Sequence, residues 1–401
     1  MMYGEQQLTI NSNDSKCTMR RFAGPEADEF FILCAPARAA AGDVAGQTRS
    51  LYRGLHQALA AAGGGVRHVV HETIFFRDIG RDLAAFRRVR TEVLGELSCR
   101  VCRPASTCIE QPPLDPRARV EIAALAVIPR QRAQKFGRTV WSAPTCGCAA
   151  SARFAARVVR LGAQEYLYAG NIFGSDGSAF DEAFGMLLAA EQLLRAQGLS
   201  FGEVVRTWIH LRDIDRDYAE FNRARREFFR RSGISLRPAS TGIGGAPFAG
   251  RHNFSMSLYA IKSPAPLEVG VMTTPTLNEA WTYGADFSRG LKVVEANKVA
   301  LYVSGTASVD EEGHTAHVGD FERQVERMII NVEALLTAQN ASLRDLVSAV
   351  TYVKHAGDAP RLRDILRHHG VEGFPNAIVN AAVCRANLLC EMEAVAALPR
   401  Q

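Results

Sequence analysis

The sequence contains no uninterrupted apolar run of about 18 residues, so it does not predict a membrane-spanning helix. Residues 1–17 are largely polar, which argues against a secretory signal peptide. Lysine and arginine are scattered along the chain, and the formal net charge is only +5 over 401 residues. The sequence therefore indicates neither a membrane nor a nucleic acid as a partner.

Cysteine does not occur in a pattern typical of a disulfide framework. The chain has nine cysteines, an odd number at irregular spacing, which predicts reduced thiols and a cytoplasmic location. The short spacings Cys99-x-x-Cys102 and Cys146-x-Cys148 lack the histidine spacing that accompanies many zinc sites, so we expect no bound metal. A glycine run at residues 63–65 follows a helical segment instead of opening one. It indicates a helix stop rather than a phosphate-binding loop.

The composition is that of a soluble globular protein, with 47% hydrophobic and 22% charged residues. The length is sufficient for two or three domains with full cores. Strand and helix signals recur in one order three times. Residues 204–214 match residues 69–79, residues 237–241 match residues 103–107, and residues 346–354 supply the third copy of the first pattern.

Such an internal repeat predicts an α+β fold of three units, each with helices on one face of a sheet. We place the units at residues 20–131, 138–263 and 276–399, after a polar leader over residues 1–19 that is disordered or loosely docked. Linkers at residues 131–150 and 263–276 break the periodicity between units. Three units would bury their uncovered sheet faces by closing into one barrel with the helices outside and clefts where units meet. A monomer is then expected.

The C-terminal stretch over residues 375–399 predicts two short strands around a turn at residues 384–387. In its second strand, Glu391 and Glu393 are two residues apart, so both carboxylates lie on one face. A carboxylate pair at the end of an apolar strand, where units meet, indicates a functional site. Burial there would raise the pKa of a glutamate toward the range that suits a general acid.

The run over residues 204–241 and the C-terminal stretch over residues 375–399 resemble the RidA (YjgF) family. Members of that family are homotrimers with active clefts between subunits. The resemblance covers nearly all of the chain from about residue 20, as three copies, and implies a RidA-like (chorismate-mutase-like) fold for each unit and a pseudo-trimeric barrel. The second and third units together are more closely similar to the chorismatases, which fuse RidA-like units into one chain. The segments that carry this similarity are Arg206-Thr207-Trp208, residues 238–244, Thr282-Tyr283-Gly284, residues 302–307, residues 317–320, Cys384-Arg385 and Glu391-Met392-Glu393.

The similarity implies that the chain removes pyruvate from chorismate without a cofactor, with Glu391 as the general acid. The chorismatases that release 3-hydroxybenzoate are similar to this sequence at two selective positions, Gly305 and Cys384. Members that hydrolyse chorismate to a dihydrodiol have a bulkier residue in place of the glycine. We therefore expect 3-hydroxybenzoate as the product, with Cys384 as a wall that keeps water out rather than as a nucleophile.

Chorismate carries two carboxylates, which arginine binds well because its guanidinium donates two parallel hydrogen bonds. Arg206 and Arg385 are the first candidates, because the strand and the turn that hold them are expected to face the same cleft. The further residues that we expect to contact the substrate are Arg289, Tyr283, Tyr302 and Ala307, with Arg237 a secondary candidate.

Some features of the sequence depart from this pattern or leave alternatives open. His210 stands where a tyrosine is expected, and Glu393 is a second carboxylate whose expected role is structural. An imine deaminase of the RidA type needs an arginine after the proline of its P-A-R-S motif, and the triplets that begin at Pro104, Pro238 and Pro375 lack it. A deaminase-like hydrolase of an imine, which the missing arginines disfavour, stays open as an alternative. So do conversion of chorismate to a dihydrodiol or to 4-hydroxybenzoate, and non-catalytic binding of an aromatic acid.

Overall fold

The computed structural model describes residues 6–11, 15–37, 42–97, 103–130, 137–141, 155–248 and 250–400. Within these ranges the chain forms three β-sheets and six α-helices. None of the described helices is both long and apolar enough to cross a bilayer.

The first sheet is built mainly by residues 6–129. Its elements in chain order are β1 (Gln6–Asn11), β2 (Ser15–Ala23), β3 (Ala27–Pro36), α1 (Val44–Ala61), β4 (Val69–Phe76), α2 (Ile79–Glu96), β5 (Ala105–Glu110) and β6 (Val120–Pro129). Across the sheet the strands follow the order β1-β2-β3-β6-β4-β5. A short strand from the second unit, Ala246–Pro247, pairs with β5 at the edge of this sheet.

The second sheet repeats the pattern. Its elements are β7 (Gly137–Trp141), β8 (Ala155–Leu161), β9 (Gln164–Ile172), α3 (Ala179–Ala196), β10 (Val204–Leu211), α4 (Ile214–Ser232), β11 (Ala239–Gly244), the edge strand β12 (Ala246–Pro247) that joins the first sheet, and β13 (Phe254–Lys262). The strand order is β11-β10-β13-β9-β8-β7. The last strand of the unit is therefore inserted between β9 and β10, as β6 is between β3 and β4.

The third sheet has the same insertion. Its elements are β14 (Val269–Val271), β15 (Gly290–Val294), β16 (Val299–Ala307), α5 (Phe321–Thr337), β17 (Leu346–Val353), α6 (Ala359–His368), β18 (Asn376–Asn380) and β19 (Cys390–Leu398). The order β14-β15-β16-β19-β17-β18 places β17 between the two strands of the C-terminal stretch. Together the three sheets agree with the internal repeat that the sequence predicts.

Local sequence signals fix most helix ends. An aspartate side chain accepts a hydrogen bond from a backbone amide in the first turn of four helices, over 2.8–3.1 Å, at Asp43, Asp78, Asp213 and Asp320. Gly63 and Gly198, just past the ends of α1 and α3, have φ of 80° and 69°, the left-handed conformation that glycine adopts without steric cost. The helix stop predicted at residues 63–65 is confirmed, and Gly198 ends α3 in the same way.

Each sheet packs its helices on one face, and the opposite faces share a central core. In the first unit, Leu55 of α1 and Phe86 of α2 pack against the sheet. The shared core receives Val127 from β6, Tyr259 from β13 and Tyr302 from β16, so all three sheets contribute to it. The burial of apolar side chains from three units in one cluster holds the units together.

The expectations about the N-terminal leader and about the regions between units are wrong. Within the predicted leader, residues 6–11 form β1 and residues 15–19 form the start of β2, because their backbone extends the first sheet at its edge. The predicted linkers contain β7 and β14, which are likewise edge strands. Short edge strands pair on one side only, so they need little of the apolar alternation by which strands are recognised in a sequence.

The prediction that all cysteines are reduced is also wrong. Cys17 on β2 and Cys34 on β3 form a disulfide. The two residues are direct partners in the antiparallel ladder, with Cα atoms 4.2 Å apart, so the sheet register brings the sulfurs together. The argument from reduced thiols to a cytoplasmic location loses its support. Cys99, Cys102, Cys146 and Cys148 lie outside the described residues.

Candidate active site

A cavity of about 340 Å³ opens where the second and third units meet. It is lined by α4 of the second unit, by β16 and β19 of the third, and by the loops that precede β15 and β19. Six of the nine predicted site residues line it: Glu391, Cys384, Gly305, Arg289, Arg385 and Ala307. We call it the Glu391 cavity.

The strand pairing of β19 brings Glu391 against Gly305. Glu391 is the ladder partner of Ala307 on β16 and of Tyr352 on β17, and the register between β16 and β19 shifts between Val303 and Thr306. An ideal Cβ on Gly305 would lie 2.2 Å from Oε1 of Glu391. A side chain at position 305 therefore cannot coexist with the present position of this carboxyl group.

The second unit anchors this contact. The backbone amide of Gly305 donates a hydrogen bond to Oγ1 of Thr241 on β11, over 3.0 Å. The same oxygen accepts a hydrogen bond from Nη2 of Arg206 over 2.6 Å. The position of Gly305, and with it the space for the Glu391 carboxyl group, thus depends on residues of a neighbouring sheet.

Glu391 is held in its protonated form near neutral pH. Its side chain is 4% exposed, and burial raises its pKa to about 8, with a further upward contribution from the negative charge of Glu393. The cations Arg206, Arg289 and Arg385 oppose this shift but do not cancel it. A carboxyl group that keeps its proton at pH 7 can act as a general acid.

Two arginines place positive charge in the Glu391 cavity. Arg289 is buried, and its guanidinium donates to the backbone oxygen of Asn278 over 2.8 Å and to Oδ1 of the same residue over 3.3 Å. Arg385 donates through Nη1 to the backbone oxygen of Gly313 over 2.7 Å. Hydrogen bonds to loop residues hold both guanidinium groups at the cavity wall, where anionic groups of a ligand would meet them.

Cys384 lies in the same wall as a free thiol. Burial, together with the nearby Glu391, raises the pKa of this thiol to about 12. The thiolate is the nucleophilic form of cysteine. A thiol that keeps its proton at neutral pH fits a wall residue better than a nucleophile.

Two predicted residues lie in a different place, and one is not described. Arg206 is 2% exposed and forms a 2.9 Å salt bridge with Glu393, which also accepts a hydrogen bond from the indole of Trp208 over 2.8 Å. Tyr302 donates to Glu295 in the shared core. Arg206 and Tyr302 line a second cavity among the three sheets instead of the Glu391 cavity. The side chain of Tyr283 lies outside the described part of the chain.

Sequence reasoning missed several residues that line the Glu391 cavity. Tyr218 and Asn222 reach it from α4 of the second unit, and Phe287 from the loop before β15. The spacing of Tyr218 and Asn222, four residues apart on one helix face, was visible in the sequence. Nothing in the sequence indicated that this face points toward the third unit. Arg237, the secondary candidate, is paired with Asp286 over 2.9 Å.

The family description Endoribonuclease L-PSP matches residues 35–128 and 284–398, which is more than half of the chain. The chain belongs to the Endoribonuclease L-PSP family. The predicted resemblance to RidA-like proteins and chorismatases is confirmed by the relatives described next.

Among curated relatives, the chain is 28% identical over 222 residues to a 3-hydroxybenzoate synthase from Streptomyces hygroscopicus; the match covers 49% of this chain and 64% of the relative. It is 28% identical over 227 residues to a chorismatase from Streptomyces rapamycinicus, covering 50% and 65%. It is 30% identical over 97 residues to a RutC family protein from Pyrococcus abyssi, covering 24% and 76%. The chain thus spans less than two thirds of the first of these relatives.

A crystal structure of a chorismatase has the same fold as this Endoribonuclease L-PSP family chain. The two superpose with a TM-score of 0.59 over 82% of this chain and 93% of the chorismatase, at 18% sequence identity. At that identity the likeness establishes the arrangement of strands and helices alone.

Within this Endoribonuclease L-PSP family chain, the three units differ at the position of Glu391. The corresponding strand position is Glu121 in β6 and Ser255 in β13. Burial raises the pKa of Glu121 to about 7, below the value of about 8 for Glu391. In the second unit, Phe173 forms ring contacts with Phe248 and with His252 at centroid distances of 5.1 and 4.9 Å, and Phe248 also packs against the core of the first unit.

Proposed function

We propose that this chain converts chorismate to 3-hydroxybenzoate and pyruvate in the Glu391 cavity. The observation that carries the proposal is the buried Glu391, with its raised pKa, beside Gly305 in a cavity that Arg289 and Arg385 also line. A substrate with two carboxylates and an acid-labile enol ether requires this combination of cations and one acid. The names of two partial relatives, a 3-hydroxybenzoate synthase and a chorismatase, support the choice of substrate.

In the proposed reaction, Glu391 gives its proton to the methylene carbon of the enolpyruvyl group. The ether carbon then carries an oxocarbenium-like charge, and the bond between the ether oxygen and ring C3 weakens. The C4 hydroxyl oxygen attacks C3, the ether oxygen leaves with the bonding electrons as the keto oxygen of pyruvate, and the hydroxyl proton returns to Glu391. The C3–C4 epoxide opens by cleavage of its C4–O bond, its oxygen takes up a proton, and C3 loses its proton to give 3-hydroxybenzoate. No water, metal or redox partner enters the balance.

The arginines would have two different roles, substrate binding and positioning of the site. Arg289 and Arg385, at the wall of the Glu391 cavity, would bind the two carboxylates of chorismate. Arg206 would position Gly305 indirectly. Its guanidinium donates a hydrogen bond to Oγ1 of Thr241, and the same oxygen accepts one from the backbone amide of Gly305. We keep Tyr283 as a proposed substrate contact, while Tyr302 would act through the shared core rather than at the substrate.

Gly305 and Cys384 would determine the product. Without a side chain at position 305, the acid stands close to the bound ring, and the C4 hydroxyl can approach C3. The neutral Cys384 thiol covers the wall and keeps water away from the same carbon. Water attack at the ring would instead give a dihydrodiol.

We further propose that the three sheets form a pseudo-trimeric barrel with the helices outside, completed by one chain. The shared core of the three sheets supports this, as do the hydrogen bonds between units. Asn297 of the third unit accepts from the amides of Glu26 and Ala27 of the first, over 3.1 Å each. A sedimentation mass equal to one chain, at a concentration where the enzyme is active, would support the monomer. A larger active species would count against it.

The test is incubation of the purified chain with chorismate and separation of the products by liquid chromatography. We expect equal amounts of pyruvate and 3-hydroxybenzoate. Glu391→Gln keeps size and polarity but removes the acid, so turnover should fall by about 10²–10⁴-fold while the variant still binds chorismate. Near-full pyruvate release by this variant would rule out the mechanism. A dihydrodiol as the main product, or deamination of an imine without pyruvate release, would point to the alternative reactions.

A further inference from the structure

The second cavity, here called the central cavity, has a volume of about 130 Å³ and shares no lining residue with the Glu391 cavity. Residues of all three units line it: His71 comes from the first, Tyr168, Arg206 and Trp208 from the second, and Ser348 from the third. The proposed reaction does not use this space.

One repeated strand position supplies three different polar side chains to the central cavity. His71, Arg206 and Ser348 are each the third residue of β4, β10 and β17. Each of them also follows directly on a register shift against the neighbouring strand. The three units therefore direct an imidazole, a guanidinium and a hydroxyl toward one space.

Two residues that line this space each carry a polar atom with unmet hydrogen-bonding capacity. Nη1 of Arg206 and Nε2 of His71 are buried and have no hydrogen-bond partner among the described residues. Arg206 is 98% buried, since its exposure is 2%. Buried polar groups without partners are costly, so native structures nearly always satisfy them with protein, water or ligand. Burial lowers the pKa of His71 to about 4, so its ring is neutral at pH 7 and Nε2 can accept a hydrogen bond.

The walls and the size of the central cavity suit one aromatic ring. The His71 ring stacks on Trp208 at a centroid distance of 5.6 Å, and Tyr168 stacks on Tyr259 at 4.6 Å. The guanidinium of Arg206 lies 4.9 Å from the centre of the Trp208 ring. Trp208 therefore contacts both His71 and Arg206. An apolar cavity of about 150 Å³ is large enough for benzene. The central cavity, at about 130 Å³, is close to this size.

The charges around the central cavity favour a neutral ligand. Arg206 is already paired with Glu393, and Lys298 is paired with Glu29 over 2.7 Å and with Glu295 over 2.6 Å. Among the described residues, each cation that lines the cavity is therefore paired with a carboxylate. A second carboxylate beside Glu393 would meet like-charge repulsion in a poorly solvated space.

We propose that the central cavity is a binding site for a neutral one-ring phenol. The phenol oxygen accepts a hydrogen bond from Nη1 of Arg206, and its hydroxyl donates to Nε2 of His71. The ring lies among the aromatic side chains of Trp208 and Tyr168. This site goes beyond the proposed reaction and does not depend on it.

Isothermal titration calorimetry of the full chain with phenol, benzene and benzoate tests the proposal. We expect saturable binding of one phenol per chain, with benzene about 2- to 10-fold weaker because it lacks the hydrogen bonds, and benzoate weaker than phenol because of its charge. The absence of saturable phenol binding at millimolar concentration would mean that only water fills the cavity, and would overturn the proposal.

Variants locate the site. Ser348→Leu and Val350→Phe each add bulk to the central cavity and should abolish phenol binding; Val350 is the counterpart of Trp208, so its strand position can accommodate a large ring. If either folded variant, as judged by its thermal unfolding, binds phenol like the parent chain, phenol binds elsewhere and the proposal is wrong.

His71→Leu tests the polar contact, with His210→Leu as the matched control. His210 is a buried histidine on a central strand, with its pKa lowered to about 4 like that of His71, and it does not line the central cavity. We expect His71→Leu to reduce the preference for phenol over benzene by about 2- to 10-fold, while His210→Leu leaves it unchanged. An unchanged preference in His71→Leu, or an equal loss in both variants, would contradict the proposed hydrogen bond. Because chorismate turnover is not measured, failure here leaves the proposed function untouched.

Discussion

Gly305 and Glu391 are in contact across β16 and β19 so closely that an ideal Cβ on Gly305 would lie 2.2 Å from Oε1 of the glutamate. Such a separation is far below any real carbon–oxygen contact. The absence of a side chain at one residue thus sets the position of the proposed acid at the other.

Replacement of Gly305 by alanine is therefore expected to displace the Glu391 carboxyl group. A displacement of about 1 Å at a reacting group can cost about 10²-fold in rate, and we expect total pyruvate release to fall by about this factor. The added methyl group should also crowd the attack by the C4 hydroxyl, so that water competes with it at the ring and some dihydrodiol accompanies 3-hydroxybenzoate. Steady-state assays with product separation measure both effects.

Gly95→Ala is the matched control, because an ideal Cβ at this position meets nothing within 4 Å. It should leave rate and product unchanged. Full activity and a single product in Gly305→Ala would contradict the proposal that the position of the Glu391 carboxyl group determines rate and product.

The pKa of Glu391, about 8 in the folded chain, predicts an activity that depends on pH. The protonated form donates, so kcat/KM should fall as pH rises through about 8. The free energy of unfolding should change with pH in the same direction as the activity. Between the ordinary glutamate pKa of about 4.5 and about 8 the folded state binds more protons than the unfolded one, so the free energy of unfolding falls as pH rises.

Urea unfolding at pH 5 and pH 8 measures the second effect. Glu391→Gln should be less sensitive to pH in this window than the parent chain. Glu121→Gln should remove a smaller share, because the pKa of Glu121 is raised only to about 7. Equal pH sensitivity in Glu391→Gln and the parent chain would contradict the raised pKa.

Glu393 is expected to matter for stability more than for the proton transfer. Its carboxylate is paired with the buried Arg206 and bonded to Trp208, so Glu393→Gln leaves a buried guanidinium without its counter-charge. Breaking a buried pair on one side typically costs about 3–5 kcal/mol of unfolding free energy. Denaturant unfolding measures this loss.

The double variant Arg206→Met with Glu393→Gln removes both charges and should recover part of the stability. If the single variant is as stable as the parent chain, the pair contributes nothing to folding.

The disulfide between Cys17 and Cys34 is expected to stabilise the first unit. The two residues are 17 apart in sequence, and closing a loop of roughly this length stabilises by about 3 kcal/mol in the chain-entropy account. Cys17→Ser should therefore unfold at lower urea concentration, as should the parent chain after reduction with dithiothreitol. Chorismate turnover at 25 °C should be unchanged by both. Identical unfolding curves with and without reductant would contradict this expectation.

The sequence predicted the parts of the fold and site that depend on local pattern. Helix and strand signals that recur in one order identified the three units, the glycine run at residues 63–65 marked the end of α1, and the repeated strand patterns identified the three central strands. Gly305, Cys384 and Glu391 were recognised from short motifs, and they do meet at one cavity. Such motifs carry information because neighbouring residues of a strand keep their relative positions in any fold of this type.

Other features depend on which distant segments become neighbours. Arg206 and Glu393 are 187 residues apart, and nothing local indicates that they pair. Cys17 and Cys34 meet because β2 and β3 pair in one register, which a shift of one residue would destroy. Tyr302 lies in the shared core, with its ring 5.7 Å from that of Tyr259 of the second unit. These relations are products of tertiary packing.

The occupation of one repeated strand position by His71, Arg206 and Ser348 has an evolutionary consequence. In a homotrimer of identical subunits, any substitution at such a position appears three times and alters every cleft together. In a single chain with three units, the same substitution occurs once. Each unit can then diverge without imposing its change on the other two, and the inner surface can become asymmetric. A fused chain can acquire a combination of side chains that no symmetric assembly of one gene product could present.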